Sequence, residues 1–149
     1  MAYTTIDNPE LYFQVKTYTG AGGSQAQTLD GSEDMAPDMV WIKCRNQAEN
    51  HGIYDTVRGA TKLLVPHFTA AEVTLSTGLT AFGADGFTVG ASGTTGYGSQ
   101  TYVSWNWKES ATSGFDIVSY TGNGTARTIS HSLSAVPHLM IIKSRSGAY

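Results

Sequence analysis

A chain of 149 residues with 14% charged residues, 17 glycines and a formal net charge of −3 is one ordinary domain, or one domain and part of another. With no basic run, it argues against nucleic acid and anionic membrane surfaces as partners. Its single cysteine, Cys44, excludes an intrachain disulfide and a cysteine-based zinc site.

Residues 1–12 read as a short leader. Met1 to Asp7 lacks the basic and apolar regions of a signal peptide, and no apolar run is long enough to insert in a membrane, so synthesis in a cytoplasm is expected. Asn8-Pro9 signals a turn. Residues 13–19 form a first strand with Phe13, Val15 and Thr17 on one face, Gly20 to Gly23 turn the chain, and residues 25–30 offer a second strand. Pro37 to Arg45 is the stretch around which the rest is organised. It reads as a central strand buried on both faces, with Met39 and Trp41 on one side and Val40, Ile42 and Cys44 on the other. Cys44 is there a small core residue.

Ile53 to Val57 alternates with Ile53 and Val57 inward, Arg58 to Thr61 turns, and Lys62 to Val65 is a further strand ended by Pro66. Residues 68–75 carry some helical promise, but β-branched Val73 and Thr74 lean toward a short strand. Ala84-Asp85-Gly86 between apolar alternations predicts a hairpin. Residues 91–100 are a loop by composition. Residues 101–108 alternate cleanly, with Val103, Trp105 and Trp107 on the apolar face and Ser104, Asn106 and Lys108 opposite. Many short strands and Gly-rich turns give an all-β, two-layer sandwich.

The opening third recurs. Phe13, Tyr18, Thr19, Gly20 and Gly22 have identical partners, 102 residues later, in Phe115, Tyr120, Thr121, Gly122 and Gly124. Pro137 to Arg145 repeats, 100 residues on, the plan of Pro37 to Arg45, from proline through apolar run to Lys-x-Arg. The expected organisation is a module over 13–112 and the start of a second, truncated repeat over 113–149, retained from a longer array or completing the first module with extra strands.

These phrases, with Val57 to Lys62, Asp85 to Gly90, Thr101 to Trp105 and Ile129-x-His131-x-Leu133, resemble repeated lectin-like modules of tailed-phage virion proteins. The resemblance covers nearly the whole chain. It implies an antiparallel, concanavalin-like (LamG-like) jelly-roll sandwich in a tail fibre or other virion surface protein, and no enzyme. In place of the Ile-x-His-x-Leu phrase the first copy has Thr28 to Glu33, so no role of His131 transfers to it.

The candidate chemistry is sparse. His51, His67, His131 and His138 lack metal-ligand spacing. Asp30, Glu33, Asp34 and Asp38 precede the central strand, and lectin-like sandwiches often hold Ca²⁺; without a D-x-D-x-D-G loop, a solvated acidic loop is the preferred reading and no cofactor is assigned. Asp55, Glu72 and Asp85 could converge as glycosidase carboxylates, but no motif places two on one strand face, and no G-x-S-x-G elbow supports a nucleophile. Arg58, Lys62 and Asp55 bracket a turn, where they could contact a ligand or a subunit; an ion pair shaping the turn is slightly preferred. Trp105 and Trp107 could stack on sugar, yet the apolar face assigns them to the core. Tyr97, among glycines in the loop 91–100, is the best exposed recognition candidate.

The function expected is a bacteriophage virion structural protein, a tail-fibre or receptor-binding component. It would work as a homo-oligomer, with a trimer as the expected symmetry, beside other virion proteins and against host surface glycan or protein. The alternative is a capsid decoration or tail-attachment protein; a carbohydrate-active enzyme comes third.

Overall fold

The protein, seen in a computed structural model, is described over residues 6–147; residues 1–5 of the expected leader and 148–149 of the expected repeat lie outside them. The fold is all-β. Helical geometry among the described residues is one 3₁₀ turn, Pro9–Leu11, started by Asn8, whose side chain accepts the Glu10 N–H at 3.0 Å. The strands are β1 (Phe13–Thr19), β2 (Gln25–Thr28), β3 (Met39–Cys44), β4 (Gly52–Asp55), β5 (Lys62–Leu63), β6 (Val73–Thr74), β7 (Leu79–Gly83), β8 (Gly86–Val89) and β9 (Thr101–Trp107). The short-strand reading of 68–75 is therefore the one realised, at Val73–Thr74.

All pairings are antiparallel. A four-stranded sheet runs β1-β9-β3-β4, a three-stranded sheet β2-β8-β7, and β5 and β6 form a small ribbon. The β7–β8 hairpin turns through Ala84 and Asp85, and Gly86 takes φ +118° with the Gln27 carbonyl oxygen only 2.0 Å from where a Cβ would stand. The two larger sheets share one core: Val40, Ile42, Cys44, Tyr54 and Tyr102 from the first meet Leu79, Phe87 and Val89 from the second, with Leu29, Met35 and Leu63 filling between. The arrangement is sandwich-like.

The alternation in β9 is real, but its faces are inverted relative to the sequence reading. Tyr102, Ser104 and Asn106 are the buried residues, while Val103, Trp105 and Trp107 are half-buried on the outer side. The inner polar side chains are tied together through the Asn106 amide nitrogen, although Asn106 Oδ1 has no partner among the described residues. Asn106 Nδ2 donates to the Gln14 carbonyl at 3.0 Å and to Ser104 Oγ at 3.1 Å. Gln14 in turn ties the Gly31 N–H and the Glu33 carbonyl to β1.

In β3, Val40, Ile42 and Cys44 are buried, but Met39 and Trp41 are only half-buried, so the strand is packed fully on one face. Tyr54, not Ile53, points inward in β4, and Val57 lies exposed in the turn that follows.

Ile42→Ala, which empties space in the shared core, is expected to cost about 2–5 kcal/mol in urea unfolding. Val15→Thr, on the outer face, is expected to stay within about 0.5 kcal/mol.

Candidate binding face

The register sets the outer side of the four-stranded sheet. Phe13, Trp107 and Met39 lie in one cross-strand row, Val15, Trp105, Trp41 and Ile53 in the next, and Thr17, Val103 and Lys43 in the third. Because strand side chains alternate, every one of these points away from the core. The result is a band of rings on a rigid sheet. Trp41 and Trp105 meet edge to face at 6.4 Å, Phe13 lies 5.1 Å from Trp107, and Phe115 stacks on Trp107 at 6.1 Å. Beside Trp107, a cavity of about 250 Å³ is lined by Pro9, Tyr12, Phe13, Ser113 and Phe115.

The band continues through two histidines. Trp41 Nε1 donates to His51 Nδ1 at 3.0 Å, His51 meets His67 edge to face at 5.3 Å, and His67 packs on exposed Phe68 at 4.5 Å. Partial burial, then the Coulombic effects of Lys43 and His67, hold the His51 pKa below its ordinary value. Sequence spacing had not brought His51 and His67 together. His131 and His138 are exposed elsewhere, and among the described residues no group of three or more His, Cys, Asp or Glu is placed to hold a metal ion.

Arg58, Asp55 and Lys62 do come together, as an internal hub. Arg58 Nε meets Asp55 Oδ2 at 2.6 Å, its Nη atoms donate to the Lys62 and Ile53 carbonyls and to Glu72, and its side chain is 4% exposed. Lys62 Nζ donates to Thr74 Oγ1 at 2.8 Å. Asp55 and Glu72 thus converge, but on one guanidinium that bridges both, with Arg145 as the second cation on Glu72, while Asp85 accepts the Met35 N–H elsewhere. Arg145 closes the hub from the tail: it grips Glu72 through two nitrogens and holds the Glu72 pKa below its usual range.

Tyr97 is 57% exposed on a loop that is itself fixed. The Ser92 carbonyl accepts the N–H groups of Thr95, Gly96 and Tyr97, and Tyr102 Oη accepts the Tyr97 N–H at 3.0 Å. The acidic cluster is dispersed: Asp30 pairs with Lys16, and Asp38 accepts Thr56 Oγ1 and the Glu109 N–H. Cys44 is buried, with Sγ 3.5 Å from Asn46 Oδ1 and Gln100 Oε1.

One carboxyl pair had no signature in the sequence. The Ser110–Phe115 bridge sets Glu109 opposite Asp116. Their mutual hydrogen bond, then burial, pushes Glu109 up to about 7, and the same bond with the Ser132 N–H holds Asp116 low. Between the two titrations the pair holds one proton.

The whole of this arrangement falls within residues 8–149, which match the sequence profile of a family described as a domain of unknown function, DUF7483. The chain belongs to this family. No curated protein and no solved structure matches it. In this DUF7483 domain the ring band, the Arg58 hub and the tail residues that close it are parts of one family unit.

Arg58→Ala would leave Asp55 buried and unpaired, and is expected to cost about 3–5 kcal/mol in urea unfolding. Arg145→Ala, on a half-exposed partner, should cost under about 1 kcal/mol. For the acid pair, the raised Glu109 pKa contributes stability that is fully present below the unfolded value and lost as pH rises through about 7, while the depressed Asp116 pKa contributes stability lost as pH falls below the usual carboxylate range. Carboxyl-carbon NMR should show Glu109 inflecting near 7, and Asp116→Asn should return it to the ordinary range.

Proposed function

We propose that this chain is a binding module of a tailed-phage virion: a tail-fibre or receptor-binding component that presents the outer aromatic face of β1, β9 and β3 to glycan on the host surface. In this reading the module is made in the host cytoplasm, sits in the virion beside other virion proteins, and acts by adhesion without catalysis. The fold is a concanavalin-like jelly roll, and residues 113–149 restate its opening third.

The observation that carries the binding reading is the band of half-buried Trp41, Trp105 and Trp107 with exposed Phe13, set on a hydrogen-bonded sheet and outside the core. Indole and phenyl faces offer large, rigid contact at small entropic cost, and apolar surfaces of this kind mark recognition sites. The phage assignment is supported by the motif resemblance. The repeat is supported by a shared local contact: Lys43 Nζ bonds the Cys44 carbonyl at 2.7 Å, and Lys143 Nζ bonds the Ser144 carbonyl at 3.2 Å. Against catalysis stands the ion-pair network of Arg58 and Arg145 that occupies Asp55 and Glu72.

A second reading, a capsid decoration or tail-attachment protein, is favoured by the apolar run in the tail, where Leu139 and Ile142 are 80% and 75% exposed. Copy number per particle separates the two: hundreds for decoration, a few for a fibre.

The purified chain is expected to be retained on an array of bacterial surface polysaccharides and lipopolysaccharides. Trp41→Ala and Trp105→Ala, shown folded by circular dichroism, should each weaken retention at least about tenfold, the scale of one lost aromatic contact. Retention unchanged by both, or absent from every glycan on the array, would sink the glycan-binding assignment.

A further inference from the structure

We propose that Leu139–Ile142 of one chain adds as a strand to the open edge of β1 in a second copy. The inference goes beyond the receptor reading and does not rest on it.

The run is a strand without a sheet. Leu139, Met140, Ile141 and Ile142 are 80, 73, 73 and 75% exposed, and Val136 is 81% exposed. Among the described residues nothing hydrogen-bonds to the main chain of residues 139–142. Four successive large apolar residues with free N–H and C=O groups are a template for pairing. The same chain shows what surroundings such a sequence takes. Its counterpart Met39–Ile42 is an inner strand with antiparallel neighbours on both sides.

β1 offers the complementary vacancy. Lys108 N–H bonds the Tyr12 carbonyl and Gly20 N–H bonds the Gln100 carbonyl, both at 2.8 Å. These two bonds fix the phase of the ladder, since residues in an antiparallel pair alternate between bonded and non-bonded. The even-numbered residues of β1 therefore spend their main-chain groups on β9. Phe13, Val15 and Thr17 turn theirs outward, along an edge that no other strand among the described residues pairs. The far edge of the sheet is closed instead, by the Ile53–Leu64 bridge. Phe13 and Val15 are 38% and 47% exposed, as expected for side chains missing a neighbour.

The occupant follows from where the tail is held. Lys143 bonds the Ala70 carbonyl and Arg145 grips Glu72, which pins the residues after the run beside β6. Within one chain the run and the edge stay unpaired, yet every copy carries both. Neither the edge positions 13, 15, 17 and 19 nor residues 139–142 bear a charge, so nothing opposes the pairing. A second copy satisfies each half, giving a head-to-tail contact that closes into a ring or extends.

Sedimentation velocity of the 149-residue chain over a concentration series tests this. The expected result is concentration-dependent association. Val15→Pro removes one outward N–H and leaves the β9 ladder intact, and Ile141→Lys charges the donor run. Each should weaken association at least about tenfold, and mixing the two variants should restore a dimer and nothing larger, because each supplies the intact half the other lacks. Thr17→Pro gives an independent edge variant should Val15→Pro not fold. A monomer at all concentrations overturns the proposal. So does association that both variants leave untouched, or that Ile141→Lys alone abolishes, which would mean that the run pairs with itself.

Discussion

The ladder between β9 and its two neighbours is the constraint on which the molecule depends. β9 bonds β1 on one side and β3 on the other, so the first strand of the chain is in the sheet only because the last one is. The Asn106 side chain reinforces the join by reaching the Gln14 carbonyl across the pair. Without β9 the rows Phe13-Trp107-Met39 and Val15-Trp105-Trp41 would not exist, and the outer aromatic face would be separate side chains on separate strands. Such pairing closes a long stretch of chain before it gains anything, which makes it cooperative with the whole fold.

The core and the exposed loop are linked through tyrosine hydroxyls. Tyr102 is fully buried, yet its Oη reaches the loop 91–100, accepting the Tyr97 N–H and bonding the Gly93 carbonyl at 2.9 Å. Tyr18 Oη donates to the Thr95 carbonyl at 2.6 Å, and its ring stacks on Tyr102. Burial pushes the Tyr102 phenol up to about 12, so it remains a neutral donor at any physiological pH. A glycine-rich loop is thereby held in one shape, with Tyr97 outward. Rigidity of this kind lowers the entropic cost of recognition.

Charge is used sparingly, and its main hub is internal. Arg58 gathers the turn after β4, the Lys62 carbonyl of β5 and Glu72, and Arg145 extends that hub to the tail. The Glu109–Asp116 pair sits where the last strand hands over to the tail. Both join the strands to residues 115–145, which among the described residues form one isolated bridge and no strand. The tail is positioned by a carboxyl–carboxyl hydrogen bond at its start and an ion pair at its far end, while its apolar middle is exposed.

Alternation, turn residues and composition were enough for the sequence to determine the all-β class, the strands at 13–19 and 101–107, the Asp85-Gly86 hairpin and the inner place of Met39–Cys44. These are local properties, set by side-chain period and by glycine's freedom at positive φ. Which face of each strand became core was decided only in three dimensions. Period two separates Trp105 and Trp107 from Ser104 and Asn106 but is blind to direction, and hydrophobicity pointed the wrong way. The inner Asn106 amide nitrogen found partners in Gln14 and Ser104, while the indoles found one another outside. The tertiary structure also decided that Arg58 faces inward, that His51 meets His67, and that Glu109 meets Asp116. Each of these contacts joins residues whose neighbourhood exists only once distant strands and turns have been paired.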